Sequence, residues 1–300
     1  MRALITGASG FAGRHLADAC AAAGDDVTDA SRASGVDLLD PAAARDAVEA
    51  ARPEAVYHLA ALAHVGASWG DPGAFLRENV TLALNVLEAV RAAAPDATVV
   101  AVGSGEVYGP PASLPVTEEA PLRPQNPYAV SKASADLLAG FYADGHGLRV
   151  IRARPFNHAG PGQEPIYAIA SFARQAAVAA EAGEDPIRIV TGNPDTRRDY
   201  TDVRDVVRAY RLLAERGEPG IYNVCSGRTA SARELIAMLA EAAGAGLDHV
   251  VDPALVRGHE VEEVRGDPGR LRAAAGWEPE IPLERTLADT VAWWRSELRA

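Results

Sequence analysis

The chain has 300 residues, 48% hydrophobic and 23% charged, with a formal net charge of −12, figures that describe a globular chain with enough apolar mass for a substantial core. That charge argues against an extended grip on a nucleic-acid backbone, no apolar run reaches the roughly 18 residues of a membrane span, and the start Met-Arg-Ala-Leu-Ile enters a strand and not a signal peptide. Two cysteines, Cys20 and Cys225, are too few for a disulfide framework or a zinc site and fit small core residues in a reducing cytoplasm.

The first half of the chain alternates two patterns. Short apolar, partly β-branched runs at residues 2–6, 26–31, 55–60, 98–104 and 149–154 predict strands. Ala/Leu/Val segments at helical period over 11–23, 42–51, 75–94 and 128–142 predict helices between them. This alternation predicts an α/β fold, a doubly wound parallel sheet of the Rossmann type covered on both faces. After Pro155 the rhythm changes, and Gly160-Pro-Gly breaks the chain. A helix over 166–182, a strand over 187–191, a polar segment over 192–198, a helix over 200–215 and a strand over 220–226 are expected next. A helix over 230–243, a short irregular stretch and a last helix over 283–299 complete the order. The expected organisation is a cofactor domain over 1–155, rejoined by 199–226, and a smaller interleaved C-terminal substrate-binding domain over 156–198 and 227–300.

Directly after the first strand stands Gly7-Ala-Ser-Gly10-Phe11-Ala12-Gly13. The first glycine permits a tight turn, the second lets backbone approach a pyrophosphate, and the third lets helix pack on sheet. The helix N-terminus that follows attracts the anion. The spacing is G-x-x-G-x-x-G; its position between the first strand and the first helix is what gives it weight.

Cofactor choice is read at the end of the second strand, Asp29-Ala-Ser31-Arg32. An acid there would bond the ribose 2′-hydroxyl of NAD, whereas a hydroxyl and a guanidinium suit a 2′-phosphate, so NADP(H) is preferred. Asp29 can be argued as the acid, which leaves NAD(H) open. Asp37 and Leu38, at an expected next strand end, are read as adenine contacts.

Of the 29 basic side chains one is lysine, Lys132, and 28 are arginine. A chain that substitutes arginine wherever charge alone suffices has kept lysine where a compact ammonium is needed. Tyr128 lies four residues before it, at the head of a predicted helix, so the two share a face. With eight tyrosines in 300 residues, chance gives that pairing roughly 3% of the time. A phenol titrates near 10 and needs an adjacent cation to act as acid or base near neutrality. Ser104, at the tip of the fourth strand, is positioned to bond the same substrate oxygen.

Gly7-x-x-Gly10-x-x-Gly13, Ser104 and Tyr128-x-x-x-Lys132 resemble the extended short-chain dehydrogenase/reductase family that acts on nucleotide sugars, over essentially the whole chain. Arg154-Pro-Phe-Asn-His158, Gly160-Pro-Gly-Gln163, Arg198-Asp-Tyr-Thr-Asp-Val-Arg-Asp205 and Tyr222-Asn-Val-Cys-Ser-Gly227 are most similar to its GDP-mannose branch. The resemblance implies Tyr128 as acid/base on the C4 oxygen, Lys132 on the nicotinamide ribose, and Phe11, Ala12, Leu59, Ala60, Ala61 and Pro155 along the cofactor. It implies Asn157, Arg174, Arg198, Arg257 and Glu260 as contacts to a GDP-sugar, although Val256-Arg-Gly-His-Glu260 has Gly258 where the branch usually has proline. A homodimer through the helices at 75–94 and 128–142 is also implied.

The branch contains a GDP-mannose 4,6-dehydratase and a GDP-6-deoxy-4-keto-mannose reductase. A dehydratase needs a carboxylate for the C5 proton, and Glu106 in Ser104-Gly-Glu106 fits, but the resemblance gives the reductases a Ser-x-Glu as well. Length favours the compact reductases, as does a first turn unlike the dehydratase's Gly-x-Thr-Gly-Gln-Asp-Gly; His64-Val65 favours the dehydratase. The order of expectation is reductase, dehydratase, then 4-epimerase, with a non-catalytic cofactor-binding scaffold last. The seven histidines make no ligand pair at helical spacing, so no metal is expected.

Overall fold

In the computed structural model, which describes residues 1–256 and 261–300, strand and helix alternate through the first half of the chain. The order is β1 (Arg2–Thr6), α1 (Phe11–Ala22), β2 (Asp26–Ala30), α2 (Pro41–Ala51), β3 (Ala55–His58), a single turn α3 (Val65–Ser68), α4 (Pro72–Ala93), β4 (Thr98–Val102), α5 (Pro127–His146) and β5 (Arg149–Pro155). There follow β6 (Asn157–Ala159), α6 (Ala168–Glu181), β7 (Ile187–Thr191), β8 (Arg197–Asp202), α7 (Val203–Arg216), β9 (Gly220–Val224), β10 (Thr229–Ser231), α8 (Ala232–Ala243), β11 (Leu247–Val251), β12 (Glu263–Val264), α9 (Gly269–Ala275) and α10 (Leu283–Arg299).

Six strands form one parallel sheet in the order β2-β1-β3-β4-β5-β9. Crossovers run both ways from β1, so the chain reverses between β1 and β3 and opens a crevice beyond their carboxyl ends. Apolar side chains on one face of the sheet pack with α1, α7 and α9, around Leu16, Val206 and the fully buried Trp277. Those on the other face pack with α2, α4 and α5, around Val48, Val86 and Ala139. A smaller unit carries the sheet β10-β8-β12, with β6 also on β8, and the pair β11-β7. Its core gathers α6, α8 and α10 around Phe172, Leu235, Leu239 and Leu287.

Three expectations need correction. The helix expected over 200–215 starts only at Val203, because Asp202 caps it by accepting from the Arg204 N–H at 2.8 Å, a bond type worth about 1 kcal/mol. Tyr200 to Asp202 instead belong to β8, so of the segment expected to rejoin the large sheet only α7 and β9 do so. No strand is formed around Asp37 and Leu38, which lie in irregular chain after a short turn over Arg32–Ser34. The stretch before the last helix, read as irregular, holds β11, β12 and α9. Among the described residues, no helix is long and apolar enough to cross a membrane.

Candidate active site

A cleft of about 1360 Å³ starts at the glycine turn, crosses the carboxyl ends of the sheet and ends against the smaller unit. Each glycine of the turn has its own steric reason. Gly7 takes a φ of +71°, and a Cβ there would stand 2.9 Å from the Ala60 nitrogen. At Gly13 a Cβ would stand 2.1 Å from the Gly7 carbonyl oxygen, so only glycine lets α1 lie this close to the turn. Gly10 caps α1 and is exposed; a Cβ on it would meet only the Gly7 carbonyl oxygen, at 3.2 Å, leaving its other side open to the cleft. Phe11, Ala12 and Gly13 line the cleft with first-turn N–H groups that an α-helix leaves without intrahelical partners. Arg14 and His15, on the same turn of α1, reach the carbonyls of Gly162 (3.3 Å) and Pro161 (2.9 Å) and tie the smaller unit to it.

At the end of β2, Ser31, Arg32 and Leu38 line the cleft with Leu59, Ala60 and Ala61 from the loop after β3. The Ser31 hydroxyl is buried and makes no hydrogen bond; the nearby Ser34 N–H goes to the Ser31 carbonyl at 3.1 Å. Asp37 is a correction. Its carboxylate turns to the Leu39 N–H (3.1 Å) and to Arg32 (3.9 Å), and it does not line the cleft. Asn79 of α4, which the sequence reading missed, holds the Leu62 N–H at 2.7 Å and the Leu62 carbonyl at 3.0 Å, and donates to the Ser131 hydroxyl at 2.9 Å. One buried amide thus couples the loop after β3 to the helix that carries Tyr128 and Lys132.

Ser104, Tyr128 and Lys132 converge on the cleft wall, at 7%, 9% and 7% exposure. Asn126 caps α5 through the Ala129 N–H (2.8 Å), and Pro127 suits its first turn, so Tyr128 is presented by a rigid helix start. Burial raises the Tyr128 phenol well above the usual tyrosine range, and the Ser104 hydroxyl beside it opposes the rise. Lys132 donates to the Val102 carbonyl at 2.6 Å, and burial lowers its ammonium to about 8 against a smaller opposing pull from Asp136. The expected depression of the phenol by Lys132 is therefore corrected. The two share a helix face, but the groups that shift the phenol are burial and Ser104 ahead of any charge from Lys132, whose ammonium gives one of its three N–H groups to Val102. Glu106 is exposed on the cleft, with Oε2 accepting from Asn126 Nδ2 at 3.2 Å. Behind the wall, buried Asp136 binds Arg152 (2.5 Å) and Arg154 (2.7 Å), and Arg154 donates to the Tyr108 hydroxyl at 3.0 Å. His58 bonds Thr6 Oγ1 at 2.9 Å and is driven by burial to about 3, so it stays neutral.

Asn157 and Arg198, expected as GDP-sugar contacts, line the cleft, as does Pro155, expected along the cofactor. Arg198 donates to the carbonyls of Arg197 (2.8 Å) and Val261 (2.9 Å). Arg174 does not line the cleft: it is exposed on α6, 5.8 Å over the Trp294 ring. Arg257 and Glu260 lie outside the described residues. His158, Tyr167, Asn193 and Tyr200 complete this wall and were not anticipated as contacts. Asp199 organises it from behind, its buried carboxylate accepting from Ser226 N–H (2.9 Å) and O–H (2.7 Å), Gly227 N–H (3.0 Å) and Gly266 N–H (3.2 Å). The sequence signal was present in Arg198-Asp-Tyr and in Ser226-Gly227, read only as family marks. Among the described residues, no group of three or more His, Cys, Asp or Glu side chains is arranged to hold a metal ion.

The sequence profile of the GDP-mannose 4,6 dehydratase family matches residues 4–290. The chain belongs to that family. It is 41% identical over 301 residues to the GDP-6-deoxy-D-mannose reductase of Pseudomonas aeruginosa, covering 99% of this chain and 98% of that one. It is 28% identical over 276 residues to the GDP-mannose 4,6-dehydratase of Yersinia enterocolitica, covering 82% and 74%. Among solved structures, RMD from P. aeruginosa complexed with NADPH superposes with a TM-score of 0.91 at 40% identity, covering 99% of this chain and all of that one. A Thermus thermophilus UDP-glucose 4-epimerase complexed with NAD superposes at 0.87 with 31% identity, covering 98% and 99%. Proteins named as a reductase, a dehydratase and an epimerase of nucleotide sugars are thus all similar to this chain.

Proposed function

We propose that the protein is an NADP(H)-dependent nucleotide-sugar oxidoreductase acting at C4, and that it reduces GDP-6-deoxy-4-keto-D-mannose to GDP-6-deoxy-D-mannose. The observation that carries the reading is Tyr128: a buried phenol beside Ser104, in the same cleft as the glycine turn, where burial favours its protonated form. Reduction of a ketone needs a proton delivered to its oxygen, and a phenol held neutral at pH 7 is a donor. Identity to the P. aeruginosa reductase along the full chain supports the substrate class.

The cofactor fits what the first lobe offers. The open side of Gly10, the free first-turn N–H groups of α1 and the unpartnered Ser31 hydroxyl beside Arg32 suit a pyrophosphate at one point and a 2′-phosphate at another. NADPH, when bound, supplies the hydride. Tyr128 donates the proton to the C4 oxygen, Ser104 orients that oxygen, and Lys132 bonds the nicotinamide ribose and steadies the phenolate left behind. Residues 1–155 with 203–226 hold the cofactor, and 156–202 with 227–300, including Asn157 and Arg198, hold the GDP-sugar. Arg257 and Glu260 are proposed contacts on the strength of the family resemblance alone.

Glu106 keeps a second reading in view, because its exposed carboxylate on the cleft two residues past Ser104 suits the base of a 4,6-dehydratase. Two incubations separate them. With the 4-keto sugar and NADPH, the reductase oxidises one NADPH per sugar and leaves GDP-mannose untouched. Formation of a 4-keto product from GDP-mannose without net cofactor use would replace that reading with the dehydratase. Leu84, Val130, Leu137 and Phe141 lie exposed on α4 and α5, at 38%, 37%, 59% and 57%, which supports a homodimer through those helices. Free, buried Cys20 and Cys225 support a reducing, cytoplasmic setting.

A further inference from the structure

Arg32, the cation read as meeting a 2′-phosphate, is not alone at the end of β2. Its guanidinium lies 3.8 Å from the Glu78 carboxylate of α4 and 3.9 Å from Asp37. Arg32 and Glu78 both line the cleft, next to the buried, unpartnered Ser31 hydroxyl. Glu78 is the more enclosed acid, its side chain 31% exposed against 60% for Asp37. Two carboxylates against one guanidinium leave this corner net negative, a poor match for a phosphate dianion and a workable one for a ribose hydroxyl. Neither acid is needed to hold the fold here, since both ion pairs are long and partly in solvent.

We propose that Glu78 is a specificity-determining residue for the cofactor. Its carboxylate competes with a 2′-phosphate for Arg32 and repels that phosphate directly, so it narrows the preference for NADPH over NADH. A 2′-hydroxyl feels no such penalty and finds in Glu78 an acceptor. Glu78 acts through charge at the Arg32 corner of the cleft, so its effect belongs in binding and not in the proton transfer. The proposal rests on the reading of Arg32 as the phosphate partner.

The test is a titration of the whole protein with NADPH and with NADH, followed by nicotinamide fluorescence, for the wild type, Glu78→Gln and Arg32→Ala. Glu78→Gln keeps the shape of the side chain and removes its charge. NADPH affinity is expected to rise about five-fold, the scale of one partly exposed ion pair, with NADH changing by less than about two-fold. The gain should shrink at about 0.5 M salt, where such charges are screened. Equal shifts for both cofactors, or none, would overturn the role of Glu78. If Arg32→Ala abolishes the preference while Glu78→Gln leaves it, only this proposal fails. If Arg32→Ala leaves the preference intact, the reading of Arg32 fails and takes the proposal with it.

Discussion

The two walls of the cleft are built on different principles. The cofactor wall is made by what is missing: glycines at 7, 10 and 13 leave room that any Cβ would close, within a span of seven residues. The facing wall is made by what is gathered. Asp199 draws together Ser226, Gly227 and Gly266, and Arg198 reaches Val261, across 27 to 67 residues of chain. Steric exclusion is local and leaves a spacing in the sequence. Long-range capture by a carboxylate leaves only isolated polar residues.

Substitutions can break this contrast, beginning with the residue that faces both walls. Tyr128→Phe is expected to lower turnover by at least about 100-fold while leaving the dissociation constant for NADPH within about two-fold. Unchanged turnover would remove the phenol from the reaction. On the cofactor wall, Gly13→Ala sets a methyl against the Gly7 carbonyl and should cost about 3 kcal/mol of stability along with cofactor affinity. Asp199→Asn turns donors toward donors on the opposite wall. It should raise KM for the nucleotide sugar and leave the NADPH dissociation constant alone; a joint loss in both would mean that the walls are not separable.

Lys132 offers a pH-dependent version of the same test. Moving its titration from 10.5 to about 8 corresponds to about 3 kcal/mol against the folded ammonium. The folded amine holds its proton less tightly than the unfolded one, so between these pH values the unfolded chain binds more protons and stability rises with pH. Lys132→Met should therefore raise Tm at pH 7, less about 1 kcal/mol for the bond to Val102, and the gain should fade by about pH 10. A gain that does not fade would point to packing and not to charge. The smallest effect belongs to Arg174→Ala. It should leave kcat and KM unchanged and lose at most about 1 kcal/mol of stability, the worth of an exposed cation over Trp294.

The contrast also explains what could be read in advance. Strand and helix alternation, the glycine turn and Tyr128-x-x-x-Lys132 are short-range patterns, and each was legible. The helix expected from residue 200 misled because hydrophobic period does not record that Asp202 is spent on a cap. Asp37 looked like a ligand because sequence shows its neighbours and not its turn toward Leu39 and Arg32. Arg174 was expected among the GDP-sugar contacts, and only the structure shows that it stands on α6 against Trp294, off the cleft lining. Asn79, which holds Leu62 and Ser131 together, carried no signal at all, for its partners lie 17 and 52 residues away.

The solitary lysine also has a consequence for anyone handling the molecule. Amine-directed reagents ordinarily decorate a protein surface at many points, but this chain offers them one side-chain target, 7% exposed and with its ammonium lowered to about 8. Apart from the chain terminus, acylation becomes a single-site reaction whose rate measures access to the cleft. A bound dinucleotide would be seen as protection of one residue, by mass alone, with no chromophore and no turnover.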